Sequence, residues 1–138
     1  MGILETTGLL YEPKKENRWI INLPERFNIS KWVAYATQRP VYKLTGSQFT
    51  WEPIEIKFRD PISESTTAKL WELFVLQKPI LHFDYTLEMI DPVGEVVERW
   101  EITGCKVLKV DFGKLDYSSE LNANCTILVQ PTTVKLLF

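Results

Sequence analysis

The sequence predicts a mainly β fold: an antiparallel β-sandwich or β-barrel of about six or seven strands with one flanking α-helix. Three observations carry this. Apolar and polar residues alternate with period two through most of the chain, one segment alone has helical spacing, and Gly or Pro punctuates the runs. The clearest stretch runs from Leu81 to Val110. Leu81, Phe83, Tyr85, Leu87 and Met89 alternate with His82, Asp84, Thr86 and Glu88, which describes a half-buried strand. Asp91-Pro92-Val93-Gly94 is a hairpin turn by composition. Val96, Glu98, Trp100 and Ile102 then alternate with Val97, Arg99, Glu101 and Thr103, so that Glu98 is an exception on an apolar face. Gly104 bends the chain before Lys106, Leu108, Val110 and Phe112 resume the alternation.

The remaining elements follow in order. Residues 1–16 form an arm, broken by Gly2, Gly8 and Pro13 yet apolar at Ile3, Leu4, Leu9, Leu10 and Tyr11. It packs either on a neighbouring subunit or on its own domain. Trp19, Ile21 and Leu23 mark a first strand that Pro24 ends, and Glu25–Ser30 is a loop. Lys31–Thr37 reads as a second strand, interrupted by Arg39-Pro40 because Pro donates no ladder hydrogen bond. Val41–Leu44 continues that strand beyond a kink, and Thr45-Gly46-Ser47-Gln48 is a turn. Phe49–Arg59 is the next strand, with Ile54, Ile56 and Phe58 inward and Glu55, Lys57 and Arg59 outward.

Asp60-Pro61 stops that strand, and the spacing of Leu70, Leu73, Phe74 and Gln77 predicts a helix over 63–77. Ser63 is the expected N-cap, with Glu64 in the first turn. Leu70 and Phe74 are its core residues; Trp71 and Val75 widen the apolar face, which packs on the sheet or also meets a second subunit. Lys78-Pro79 ends the helix. After a polar loop at 114–120, the alternation of Leu121, Ala123, Cys125, Ile127 and Val129 predicts a further strand, and Thr133–Phe138 a short apolar end. No domain boundary interrupts residues 1–138, which read as a single domain.

Composition narrows the function classes. The chain is 45% hydrophobic and 25% charged with a formal charge of −2, an ordinary globular balance without the basic stripe of a general nucleic-acid binder. Two cysteines, Cys105 and Cys125, and one histidine, His82, cannot supply a four-ligand zinc site; the cysteines read as small buried thiols. The glycines match no phosphate-cradling motif, and His82 has no nucleophile turn beside it. The expectation is therefore no enzyme and no cofactor. The first ten residues lack the basic start of a signal peptide, and no segment approaches the ~20 apolar residues of a membrane span. A myristoylation-type start (Met1-Gly2, Thr6) and a glycosylation sequon at Asn124 are short chance-level patterns. The expected compartment is a reducing cytoplasm.

Several stretches, in order, resemble one family. They are Glu12-Pro13-Lys14-Lys15-Glu16-Asn17-Arg18-Trp19-Ile20, Arg39-Pro40, Phe49-Thr50-Trp51 through Ile56, and Asp60-Pro61 ahead of a helix with Leu70 and Trp71. The most specific is Gly94-Glu95-Val96-Val97-Glu98-Arg99-Trp100, followed by Gly104, Asp111-Phe112-Gly113 and Asp116-Tyr117. Together they look like a phage tail tube protein. The resemblance implies a virion protein assembled in the host cytoplasm, a homo-hexameric ring that stacks into the inner tube of a contractile tail. It implies as partners a sheath, a tape-measure protein and a baseplate or tube initiator, with DNA passing through the lumen unbound and no membrane partner. A tube initiator, an injection-system tube protein and a small-ligand-binding β-barrel are the alternatives.

Within that frame, Arg39, Pro40, Gly46, Phe49 and Trp51 are the candidate inter-ring loop, since aromatics flank a polar tip there. A lumen that lets DNA slide must be neutral or acidic, because each phosphate neutralised by Lys or Arg adds affinity. Three strand faces are candidates for it: Asp84, Thr86 and Glu88; Glu55, Lys57 and Arg59; and Arg99, Glu101 and Thr103. The first carries no basic residue and is the favoured candidate lumen face, the alternative being a solvated outer face.

Overall fold

Nine strands and one short helix make up the described part of a computed structural model, residues 12–76 and 82–138. The strands are β1 (Trp19–Asn22), β2 (Ala34–Ala36), β3 (Tyr42–Thr45), β4 (Gln48–Trp51), β5 (Ile54–Arg59), β6 (His82–Ile90), β7 (Val96–Asp111), β8 (Asn124–Gln130) and β9 (Thr133–Leu136). Seven of them form one curled antiparallel sheet, a half-barrel, in the order β1-β6-β7-β8-β5-β2 with β9 added to β7. β3 and β4 form a separate two-stranded sheet. Helix α1 (Thr66–Leu70) continues as a π-helical segment, Trp71–Leu76.

The sheet is organised on β7, whose 16 residues pair with β6 along one edge and with β9 and then β8 along the other. The alternation on β6 is regular: Phe83, Tyr85, Leu87 and Met89 are buried while His82 and Asp84 are exposed. β5 and β8 send Ile54, Ile56, Phe58, Cys125, Ile127 and Val129 into the same core. The space inside the curl is closed by Phe27, from a 3₁₀ turn at Glu25–Phe27, and by Leu70. Phe27 stands edge-on to Phe83 at 5.0 Å and to Phe74 at 5.6 Å.

Several boundaries differ from the sequence reading, each for a local reason. Lys31–Val33 is a 3₁₀ turn rather than strand, because the Ser30 hydroxyl accepts the Trp32 N–H; the strand is only Ala34–Ala36. Tyr42–Thr45 does not extend it but pairs with Gln48–Trp51, and Glu52-Pro53 divides the expected Phe49–Arg59 strand in two. β8 starts at Asn124, leaving Leu121 exposed. On β7, irregularities in the pairing at Gly104 and at Leu108 each insert a residue and flip the faces. Val107 and Val110 therefore meet the core and Leu108 is exposed, so the expected face of Lys106, Leu108, Val110 and Phe112 does not exist.

The helix starts later than expected. Ser65, not Ser63, is the N-cap, accepting from the Ala68 N–H at 3.2 Å. Asp60 sets this start: its carboxylate accepts from the Ser65 and Thr67 hydroxyls and from the Thr67 N–H. Glu64 has φ +58° and lies before the helix. In the π segment the hydrogen bonds span one residue more than in an α-helix, so the apolar face drifts. Leu73 and Phe74 stay packed on the core, while Trp71 turns outward against Phe112 at 6.4 Å and Leu76 is exposed. Gln77, Lys78-Pro79 and Leu81 lie outside the described residues, as do residues 1–11 of the arm.

Leu70 is wholly buried and Phe74 only partly. Truncating a buried Leu to Ala costs about 2–5 kcal/mol, and a buried Phe about 3–5 when fully enclosed. Leu70→Ala should therefore lower the urea midpoint at least as much as Phe74→Ala, although Phe is the larger side chain. A much greater loss for Phe74→Ala would show that the aromatic contact with Phe27 dominates this layer.

Candidate assembly surfaces

The β3–β4 hairpin stands apart from the sheet. Its two-residue link is Gly46-Ser47, and Gly46 has φ +64°, the left-handed value that a tight hairpin needs at its first central residue. Opposed residues of antiparallel strands share a face. Tyr42 opposite Trp51 and Leu44 opposite Phe49 therefore make one apolar plate, and Lys43, Thr45, Gln48 and Thr50 the polar reverse. Tyr42 stacks on Phe49 at 4.9 Å and meets Trp51 at 4.5 Å, yet Tyr42, Leu44 and Phe49 remain more than half exposed. Of the five residues expected here, Gly46, Phe49 and Trp51 are in this hairpin. Arg39 and Pro40 are in the leg that leads to it, and Arg39 turns back to the body of the domain.

The polar face of the sheet brings two of the expected outward faces together. Thr86 lies opposite Glu101 and Glu88 opposite Arg99, so Asp84, Thr86 and Glu88 share one surface with Arg99, Glu101 and Thr103. The face is thus not free of basic residues, a property invisible until β6 and β7 are paired. Arg99 donates twice to Glu88 Oε2, at 2.6 and 2.9 Å, and Asn22 reaches Glu88 and Thr86 from β1. Lys135 of β9 stands opposite Glu101. Asp84 is committed to the fold, since its Oδ1 accepts the Gly104 N–H at 2.8 Å and so holds the β7 irregularity. An open groove of about 700 Å³ lies here, between this face and Glu25 and Arg26. Glu55, Lys57 and Arg59 lie farther round the sheet, on β5.

The third feature is Glu98. Its carboxylate is on the core side of β7, and the residue is 4% exposed. Oε1 accepts from Lys14 Nζ at 2.6 Å and from Arg39 Nη1 at 3.3 Å; Oε2 accepts from Trp100 Nε1 at 2.6 Å. Its place on an apolar strand face was the one sequence signal for this cluster. The partners, 84 and 59 residues away, carried none. Burial pushes the Glu98 carboxyl up, but the hydrogen bonds from Lys14 and Trp100 and the positive charge of Arg39 and Lys14 outweigh it, and it is held below its ordinary value. Asp60 behaves alike: burial raises it, and the bonds from Thr67 and Ser65 bring it below normal. Among the described residues no group of three acidic, His or Cys side chains is arranged to hold a metal, and no helix is long and apolar enough to cross a membrane.

No family model and no curated protein matches the sequence. Solved structures do match the fold. A chain of the sheath–tube complex of PVC, an extracellular contractile injection system in its extended state, superposes with a TM-score of 0.68 at 12% identity, covering 95% of each chain. A chain of the sheath/tube terminator of such a system gives 0.69 at 12% identity, over 94% of this chain and 99% of that one. Hcp1 from Flavobacterium johnsoniae gives 0.56 at 12% identity, over 87% and 94%. At these identities the likeness is one of fold. This chain has the curled-sheet fold of contractile injection system tube and Hcp-like proteins, a fold in keeping with a phage tail tube protein.

A carboxyl whose pKa is depressed by folding stabilises the protein above its ordinary value, and that contribution is lost as pH falls through the folded value. Asp60 and Glu98 are both of this kind. Stability to urea should drop as pH falls below about 4.5, the ordinary glutamate value, and go on falling through the lowered folded values. Glu98→Gln, which cannot titrate, should show a shallower drop; an unchanged slope would remove Glu98 from the acid sensitivity.

Proposed function

We propose that the protein is a structural subunit of the inner tube of a contractile, tail-like particle: homo-hexameric rings that stack into a conduit. The observation that carries this reading is the shared fold along nearly the whole of both chains with the PVC sheath–tube complex. The curled sheet supports it, because among the described residues β1, β2 and β9 each keep one strand edge without a ladder partner, an edge that another copy can extend as closure of a barrel requires. The apolar plate of the hairpin supports stacking: an exposed apolar surface on one copy that meets a different surface on the next generates rings or filaments. In this reading the hairpin, with Gly46, Phe49 and Trp51 at its core, contacts the adjacent ring. The polar face of Asp84, Thr86, Glu88 and Glu101 lines the lumen, where Arg99 is paired with Glu88 and Lys135 stands opposite Glu101. A sheath surrounds the tube, a baseplate or initiator nucleates it, a tape-measure protein fills it, and in a phage the genome leaves through it.

The likeness to a sheath/tube terminator chain favours a second reading, a ring at one end of the tube. Electron microscopy of the purified protein, with and without a baseplate seed, separates the two. Long hollow six-fold tubes support the tube subunit, and rings that stop at one or two layers support the terminal protein. Monomer at high concentration in the presence of the seed rules out both.

Deleting residues 45–48 should leave the melting transition close to that of the intact chain, because the hairpin is outside the core, and should abolish stacking. Normal tubes from that variant would show that the hairpin is not the inter-ring contact. Glu101→Lys adds positive charge while leaving the hydrogen bonds of Asp84 and Glu88 in place. If the face lines the lumen, tubes should still assemble but retain a polyanion in salt-dependent fashion. Passage at the normal rate would place the face elsewhere.

A further inference from the structure

Glu98 is positioned to do more than neutralise two cations. Lys14 belongs to the segment that precedes β1, and Arg39 to the leg that enters the β3–β4 hairpin; both reach the same oxygen, Oε1. Lys14 is close, at 2.6 Å, and Arg39 sits at the long distance of 3.3 Å. Two cations on one oxygen compete: each repels the other, and the nearer one takes the better geometry. A guanidinium alone on a carboxylate can bond through two N–H groups at once, a stronger arrangement. The hairpin depends on this leg. It shares no ladder with the main sheet, and among the described residues the other side-chain ties of hairpin and leg to the body are Gln130 Nε2 donating to the Trp51 carbonyl at 2.8 Å and the Thr37 hydroxyl donating to the Glu55 carbonyl at 2.9 Å. A two-stranded hairpin by itself is marginally stable, so its protection reports its anchorage.

We propose that Glu98 is an exchange clasp. Lys14 holds the carboxylate while the N-terminal segment lies on its own domain, and withdrawal of that segment hands the carboxylate to Arg39 and fastens the hairpin. The device couples the two segments with opposite sign: what loosens the first tightens the second. Any partner that draws residues 12–17 away thereby stiffens the hairpin and its apolar plate. The clasp is a property of the folded chain and does not depend on the tube reading.

Amide hydrogen exchange of the full-length monomer tests it, read at residues 42–52. Lys14→Met removes the competing cation at a half-exposed position and should slow exchange there by about five-fold, the lower end of ordinary site-to-site coupling. Arg39→Met and Glu98→Gln should each speed it by a similar factor. In the double variant Lys14→Met/Arg39→Met the slowing should vanish, since the group that gains the carboxylate is gone. Arg39→Met is at a half-exposed site, so the test does not hinge on whether the buried Glu98→Gln variant folds. Unchanged or faster hairpin exchange in Lys14→Met overturns the proposal, as does a slowing that persists in the double variant.

Discussion

The shape of the sheet depends on a single backbone constraint in β7, the left-handed conformation of Gly104. At φ +63°, a side chain there would be strained, and a Cβ would stand 2.8 Å from the Thr132 side chain. Around it, Asp84 takes the Gly104 N–H, the Thr132 hydroxyl donates to the Gly104 carbonyl, and the Thr132 N–H donates to Thr103. At this point β7 changes partner from β9 to β8, and the two shorter strands run along one edge of a single long strand. A flat ladder would be incompatible with a core enclosed on one face, because the sheet must curl for Phe27 and Leu70 to seal it.

That curl sorts the surfaces. One face of the sheet becomes interior and is filled by side chains, which leaves the polar face and the strand edges as what the domain offers to other molecules. Two charges of the polar face are committed within the domain: Glu88 is paired with Arg99, and Asp84 accepts from backbone. The ring of Phe138 lies against the Arg99 guanidinium at 5.2 Å, and its carbonyl accepts the Arg99 N–H, so the end of the described chain helps to fix the same arginine.

The hairpin is the opposite case. Its aromatic rings stack on one another rather than on the core, so its apolar face is built but not covered. Glu98 ties the leg of this element to the body through a long, shared contact. Burying a carboxylate is costly unless it is well bonded, and three donors meet that requirement here.

Much of this was determined by the sequence. The alternation of Phe83, Tyr85, Leu87 and Met89, and of Cys125, Ile127 and Val129, placed the core face of β6 and β8 correctly, because period-two burial is a local property of an extended chain. Gly46 and the flanking aromatics marked the hairpin tip, and Glu98 stood out as a misplaced charge. Tertiary structure alone decided which strands pair, and hence that Arg99 joins the face of Asp84, Thr86 and Glu88. It also decided that the pattern after Gly104 slips at Leu108, since a bulge is defined by the partner strand and leaves no periodic trace of its own. The helix start was moved from Ser63 to Ser65 by Asp60, whose carboxylate reaches Thr67 only once the chain has turned. Lys14 and Arg39 meet at Glu98 for the same reason: contacts across 84 and 59 residues are set by the closing of the curled sheet, which no local pattern encodes.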